Sequence, residues 1–184
     1  MELSIENLMN TAIEEMKNGQ HPEASKHFDL VVINDSTNID APFFCAYCNC
    51  YDIKLGEMSN AAINFTNAFY RYVDAVKALN DPIQEKEKLD YAVVLLTELV
   101  SMYKFNAKKQ MLTAPSIGVT ISSSANTMNS KCISKLSNVN ANISAEVLSS
   151  NKANSRSNIG TGMILSVLLG LGIGAFVFWM ILWW

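Results

Sequence analysis

Three thiols stand close together in this chain as Cys45-x-x-Cys48-x-Cys50, with a fourth at Cys132. Thiolates at short spacing bind zinc and exchange disulfides, so this cluster is the first place to look for chemistry. Helical geometry weighs against it. At about 100° per residue Cys45 and Cys48 share a face, whereas Cys50 points about 160° away from Cys48. The three converge on a metal only if the helix breaks, and the spacing predicts reduced thiols used as small buried apolar groups, as in a reducing cytosol. His21 and His27 are the only histidines, and neither has a carboxylate or cysteine at a spacing that makes a catalytic relay. The acids Glu14, Glu15, Glu85 and Glu87 read as solvated helix faces. No phosphate-cradling loop, nucleophile elbow or zinc-protease motif occurs. Gly170-x-Gly172-x-Gly174 is no phosphate loop, because it lies inside an apolar run. These residues predict a chain that is not an enzyme and holds no cofactor and no metal.

The apolar run is the strongest feature. Of 184 residues 49% are hydrophobic and 17% charged, and from Ile159 to Trp184 there are 26 consecutive residues without a charge. Within it, residues 163–184 form about 33 Å of helix at 1.5 Å per residue, enough to cross a hydrocarbon core of about 30 Å once. Trp179, Trp183 and Trp184 gather at the far end, where indole rings favour headgroups, and Lys152 and Arg156 precede the near end. The positive-inside rule then predicts a single-pass membrane protein whose C-terminal segment is the anchor and whose residues 1–158 face the cytoplasm. Gly170 and Gly174 are spaced for close packing of one membrane helix on another, which would permit self-association. Charge is polarised as well: residues 1–106 carry 16 acids and 8 bases, residues 107–184 carry 1 acid and 6 bases. A nucleic-acid partner is disfavoured, because an acidic body repels phosphate.

The N-terminal residues repeat weakly at an offset of 37: Gly19, Ala24 and Phe28 recur as Gly56, Ala61 and Phe65. Each copy reads as helix, tight turn, helix. Ile5, Leu8, Met9, Ala12, Ile13 and Met16 follow three-and-four spacing, Asn18-Gly19 stops the helix, and Pro22 opens the next. Asp40 is placed to cap a helix carrying Phe43, Phe44, Tyr47 and Tyr51, and a long helix to Leu79 follows. These residues resemble the tetratricopeptide repeat over about Ile5 to Tyr72, with alanine and an aromatic on the second helix and glycine in the turn before it. The resemblance implies a helical interaction scaffold whose concave face comes from the first helices. Carried over, that partner-binding groove comprises Glu6, Met9, Ile13 and Lys17 in the first copy and Phe43, Ala46, Cys50 and Lys54 in the second, with a protein or peptide as occupant.

Two copies fall short of the three or so that make a stable stack, so later helices must complete the core. Asp81-Pro82-Ile83-Gln84 is a start signal for a helix to about Lys104. The segment 107–127 reads as a connection because it is rich in breakers and β-branched residues. Met128, Cys132, Leu136, Val139, Ile143 and Val147 then recur at helical intervals, predicting an amphipathic helix over 128–148. Residues 149–162 read as a flexible juxtamembrane linker. The whole is predicted to be all-α: a helical domain over 1–106, the connection, the amphipathic helix, the linker and the membrane helix over 163–184. Lys131, Lys135, Lys152 and Arg156 are expected to contact an anionic bilayer surface, since each basic group near it contributes about 1 kcal/mol. The function expected is that of a membrane-anchored cytoplasmic adaptor. Two rivals have a basis in the sequence: a membrane-active single-span protein, pore-forming or acting in fusion or fission, and a metal-binding module built on the cysteines.

Overall fold

The structure, a computed structural model, describes residues 4–139, all within Met1–Val147, the first of the two units into which the chain divides. The described residues are all-α, with no strand among them: α1 (Ile5–Lys17), α2 (His21–Asn34), α3 (Asp40–Cys48), α4 (Met58–Ala78), α5 (Pro82–Met111) and α6 (Pro115–Val139), plus a 3-10 turn at Leu55–Glu57.

Local chemistry sets most of the boundaries. Ser4 Oγ accepts from Asn7 N at 3.2 Å and opens α1. Gly19, at φ +77°, closes it, because this left-handed turn lets Gln20 N reach Glu15 O at 2.9 Å. Asp81 caps α5 as its sequence predicts: Oδ1 accepts from Ile83 N and Gln84 N, and Gln84 Nε2 reaches back to Oδ2 at 2.9 Å. At α3 the cap is Asn38, not Asp40, since Asn38 Oδ1 accepts from the backbone of both Asp40 and Ala41. Asp40 is thereby free to face inward, where it meets Lys88 Nζ at 2.6 Å and accepts from Tyr72 Oη at 2.9 Å. One carboxylate so joins α3, α4 and α5.

Consecutive helices pack as pairs, α1 on α2, α3 on α4 and α5 on α6, and the pairs are joined through α2 on α3 and α4 on α6. Aromatic rings fill the first two pairs. Phe28, Phe43, Phe65 and Phe69 are fully buried, and Phe43 stacks on Tyr72 with centroids 4.4 Å apart. The third pair is aliphatic, with Leu89, Leu96 and Leu99 of α5 against Ile121, Met128 and Leu136 of α6. Burying one such side chain stabilises the fold by about 1.5–3 kcal/mol. Tyr103 crosses from α5 to donate to Met58 O at 2.8 Å, so its buried hydroxyl is satisfied. The small residues at the start of α2 and α4 differ in register: Ala24 is fully buried, but at the second position Ala62 is buried and Ala61 only half-buried.

The expected connection over 107–127 is replaced by helix. α5 runs to Met111 and α6 begins at Pro115, so the break shrinks to a turn at Leu112–Ala114, closed by Ala114 N on Gln110 O at 2.7 Å. Serine, threonine and β-branched residues are weak helix formers, but burial overrides propensity here. Gly118, Ile121, Ala125, Met128, Cys132 and Leu136 are all buried along one face of α6. Gly118 lets the pair close: a Cβ there would lie 2.9 Å from Ala107 O and 2.9 Å from Met111 N. Among the described residues no helix is long and apolar enough to cross a membrane. The span expected over 163–184, with Gly170 and Gly174, lies outside the described residues, as does the linker over 149–162.

Candidate functional site

The first helices of the three pairs, α1, α3 and α5, line a cleft of about 500 Å³. Met16 and Lys17 come from the end of α1 and Gly19 from the turn after it, His21 from the start of α2, Tyr47 from the end of α3 and Tyr51 from the turn beyond it, and Tyr91, Val94, Leu95 and Glu98 from the middle of α5. The turn at Gly19 carries His21 onto the aromatic wall. Its imidazole stacks on Tyr51 with centroids 3.8 Å apart and meets the edge of Tyr47 at 5.9 Å. Its Nδ1 is buried without a hydrogen-bond partner. Desolvation lowers the His21 pKa below the usual imidazole value, with the charges of Asp52 and Glu98 opposing the shift.

The hydroxyls form a short chain. Tyr47 Oη donates to Glu98 Oε2 at 2.9 Å, and the Tyr47 and Tyr51 hydroxyls lie 2.7 Å apart. With the Tyr47 proton given to the carboxylate, Tyr51 is the donor to Tyr47. Burial raises the pKa of both phenols, and Glu98 reinforces the shift, so neither is a ready base at neutral pH. Among the described residues the cleft therefore has aromatic walls and a single acidic pole at Glu98, with Lys17 on the α1 side. Clefts of this size that are mostly apolar with a few fixed polar groups are suited to binding.

Of the groove residues taken from the family resemblance, only Lys17 lines this cleft. Glu6 is exposed near the start of α1, and Met9 and Ile13 are half-buried against the core. Phe43 and Cys50 are 1% exposed and cannot meet a partner. The reason is that α3 buries residues on every side, Ala41, Phe43, Phe44, Cys45, Tyr47 and Cys48, so it has no free stripe to present. Ala46 borders a second, smaller hollow of about 330 Å³ between α3 and α4, and Lys54 is exposed in the turn between those helices. Tyr91 and Glu98 complete the cleft, and no local spacing in the sequence ties them to Tyr47.

The cysteines are all buried and free. α3 ends at Cys48, so the helix does stop before Cys50, but the thiols go separate ways. Cys45 Sγ donates to Asp29 Oδ1 at 3.1 Å, and Cys50 Sγ to the carbonyls of Ala46 and Ala61. Burial pushes the Cys45 thiol up to about 11 and those of Cys48, Cys50 and Cys132 up to about 12. Among the described residues no group of three or more His, Cys, Asp or Glu side chains is placed to hold a metal ion. His27 Nδ1 pairs with Glu15 Oε2 at 2.7 Å, which ties α2 to α1.

The expected membrane-facing bases divide. Lys131 is exposed on α6. Lys135 instead turns onto α4, 2.5 Å from Asp74 Oδ1 and 5.5 Å from the centre of the Tyr70 ring. Lys152 and Arg156 lie outside the described residues. No protein-family model matches the chain, and no curated protein or solved structure is significantly similar to it.

Proposed function

We propose that this protein is a helical scaffold that binds a protein or peptide in the tyrosine cleft and is held at a membrane by its apolar segment 163–184, with residues 1–158 in the cytoplasm. The observation that carries the reading is the cleft itself, lined by residues from the first helices of three successive pairs. A stack of helix pairs with a groove on its first helices is what a tetratricopeptide-like scaffold requires, and that relationship is part of the proposal. Binding is favoured over catalysis because the polar groups in the cleft are spent on one another: Tyr51 on Tyr47, and Tyr47 on Glu98. Anchoring rests on the 26 uncharged residues that end the sequence and on the tryptophans among them.

The test combines topology and capture. Membranes from cells expressing the intact chain and a chain lacking 159–184 are washed with salt, and the anchor reading expects only the intact chain in the pellet. The intact chain is then purified in detergent beside its Val94→Arg variant. Val94 is 49% exposed on the cleft wall, so arginine there blocks the cleft without entering the core. A partner recovered with the native chain and lost with the variant supports the proposal. Identical partners for both would remove the cleft from it.

A further inference from the structure

Among the described residues the cleft is lined by one carboxylate, Glu98, and the hydrogen bonds around it run in one direction. Tyr51 donates to Tyr47 and Tyr47 to Glu98 Oε2, so both phenolic protons are consumed inside the protein. What they leave facing the cleft is acceptor capacity: Oε1 of Glu98 and the Tyr51 oxygen. Glu98 is exposed and joins no ion pair among the described residues. A ligand that satisfies this pole must bring donors, and it gains most if it brings positive charge. The walls ask for the same ligand. Tyr91, 36% exposed, and the half-buried Tyr51, which carries His21 on one face, line the cleft with the carboxylate, and aromatic rings attract cations, guanidinium above all. The surroundings agree, since residues 1–106 carry 16 acids against 8 bases. Among the described residues Lys17 is the one lysine or arginine lining the cleft, and it lies on the α1 side, whereas Glu98 is on α5.

Building on the cleft-binding reading, we propose that the tyrosine cleft recognises an arginine side chain of the partner, seated beside Tyr91 and Tyr51 with its guanidinium on Glu98. A peptide that enters by a carboxylate meets the wrong charge here. An aliphatic side chain leaves the acidic pole without a partner, which costs affinity because a desolvated charge is then uncompensated.

The experiment uses the full chain in a neutral detergent and a fluorescent nine-residue peptide of alanine and leucine with one central arginine. Its companion carries citrulline, which keeps the shape and removes the charge. Fluorescence anisotropy should give a Kd at least tenfold lower for the arginine peptide. Glu98→Gln keeps an acceptor for Tyr47 and should erase that preference, whereas Glu87→Gln, which removes an exposed acid outside the cleft on the same helix, should leave it intact. Equal affinity for the two peptides, no binding of either, or an arginine preference that survives Glu98→Gln overturns the proposal. The two readings fail separately. If both peptides bind alike and Val94→Arg abolishes both, the cleft remains a binding site and the arginine is wrong. If the arginine peptide still binds the Val94→Arg variant, the cleft is not where binding occurs.

Discussion

Helix α5 meets its neighbours in opposite ways along its length. Around Ala107 and Met111 it lies so close to α6 that no side chain fits at Gly118. Around Tyr91, Val94 and Glu98 it faces Tyr47, Tyr51 and His21 across a cleft of about 500 Å³. Side-chain size at the contact sets helix separation, over a range of about 8–10 Å between axes. The same helix is thus packed tight at one end and forms the wall of a cleft at the other, with small residues in one place and large aromatic ones in the other.

The sharpest way to break this comparison is to put bulk at the tight end. Gly118→Leu should destabilise the protein by about 3 kcal/mol, because the added atoms meet backbone rather than a movable side chain. Gly56→Leu is the control, since nothing lies within 4 Å of a Cβ there, and it should change stability by no more than about 0.5 kcal/mol. Urea unfolding of the two variants reads the contrast, and equal midpoints would show that α5 and α6 are not in close contact. Tyr103→Phe comes next. It removes the buried hydrogen bond by which α5 holds the Met58 carbonyl and should cost about 1 kcal/mol, read by the same transition.

At the cleft end the expected stability effects are smaller and depend on pH. The His21 pKa is lowered in the folded state, chiefly by desolvation, so the unfolded chain takes up this proton more readily. Its contribution is therefore complete above the ordinary imidazole value of about 6.5 and is lost as the pH falls below it. His21→Phe keeps a ring against Tyr51 and removes the titration. The native chain should lose more stability than the variant between pH 7.5 and 5.5, and parallel pH profiles would show that His21 is not desolvated. The smallest effect belongs to Val94→Arg, within about 0.5 kcal/mol of the native chain, since the site is half in solvent. A large loss there would mean that the cleft is packed shut.

Much of the helical framework could be read from the residues, because its signals are local. Asn18-Gly19, Pro22 and the Asp81-Pro82-Gln84 start mark ends that the structure also has. The opening half of α6 is not legible in the sequence, for a physical reason. Its serines and threonines argue for a loop, and the buried stripe that outweighs them, Gly118, Ile121 and Ala125, begins with a glycine and includes an alanine, which register poorly as apolar. Proline at the first position of α6 was the available clue. The cleft was half legible. Lys17, expected in a groove on the first helices, does line the cleft, but Glu98 joins it only through a hydrogen bond to Tyr47 from a different pair. Phe43 was misplaced because resemblance gives a helix a face, whereas packing on all sides of α3 takes that face away.

The buried thiols have a practical consequence. Cys45, Cys48 and Cys50 sit at the end of α3 and in the turn beyond it, while Cys132 sits alone in α6. Covered and protonated at neutral pH, each is shielded from alkylation until its surroundings open. The order in which iodoacetamide marks the four, followed by mass spectrometry, is therefore a clock for local opening, with separate hands for the α3 turn and the last helix. It needs no introduced label. It can report whether an occupant of the cleft, which touches the end of α3 but not α6, slows one hand and leaves the other running.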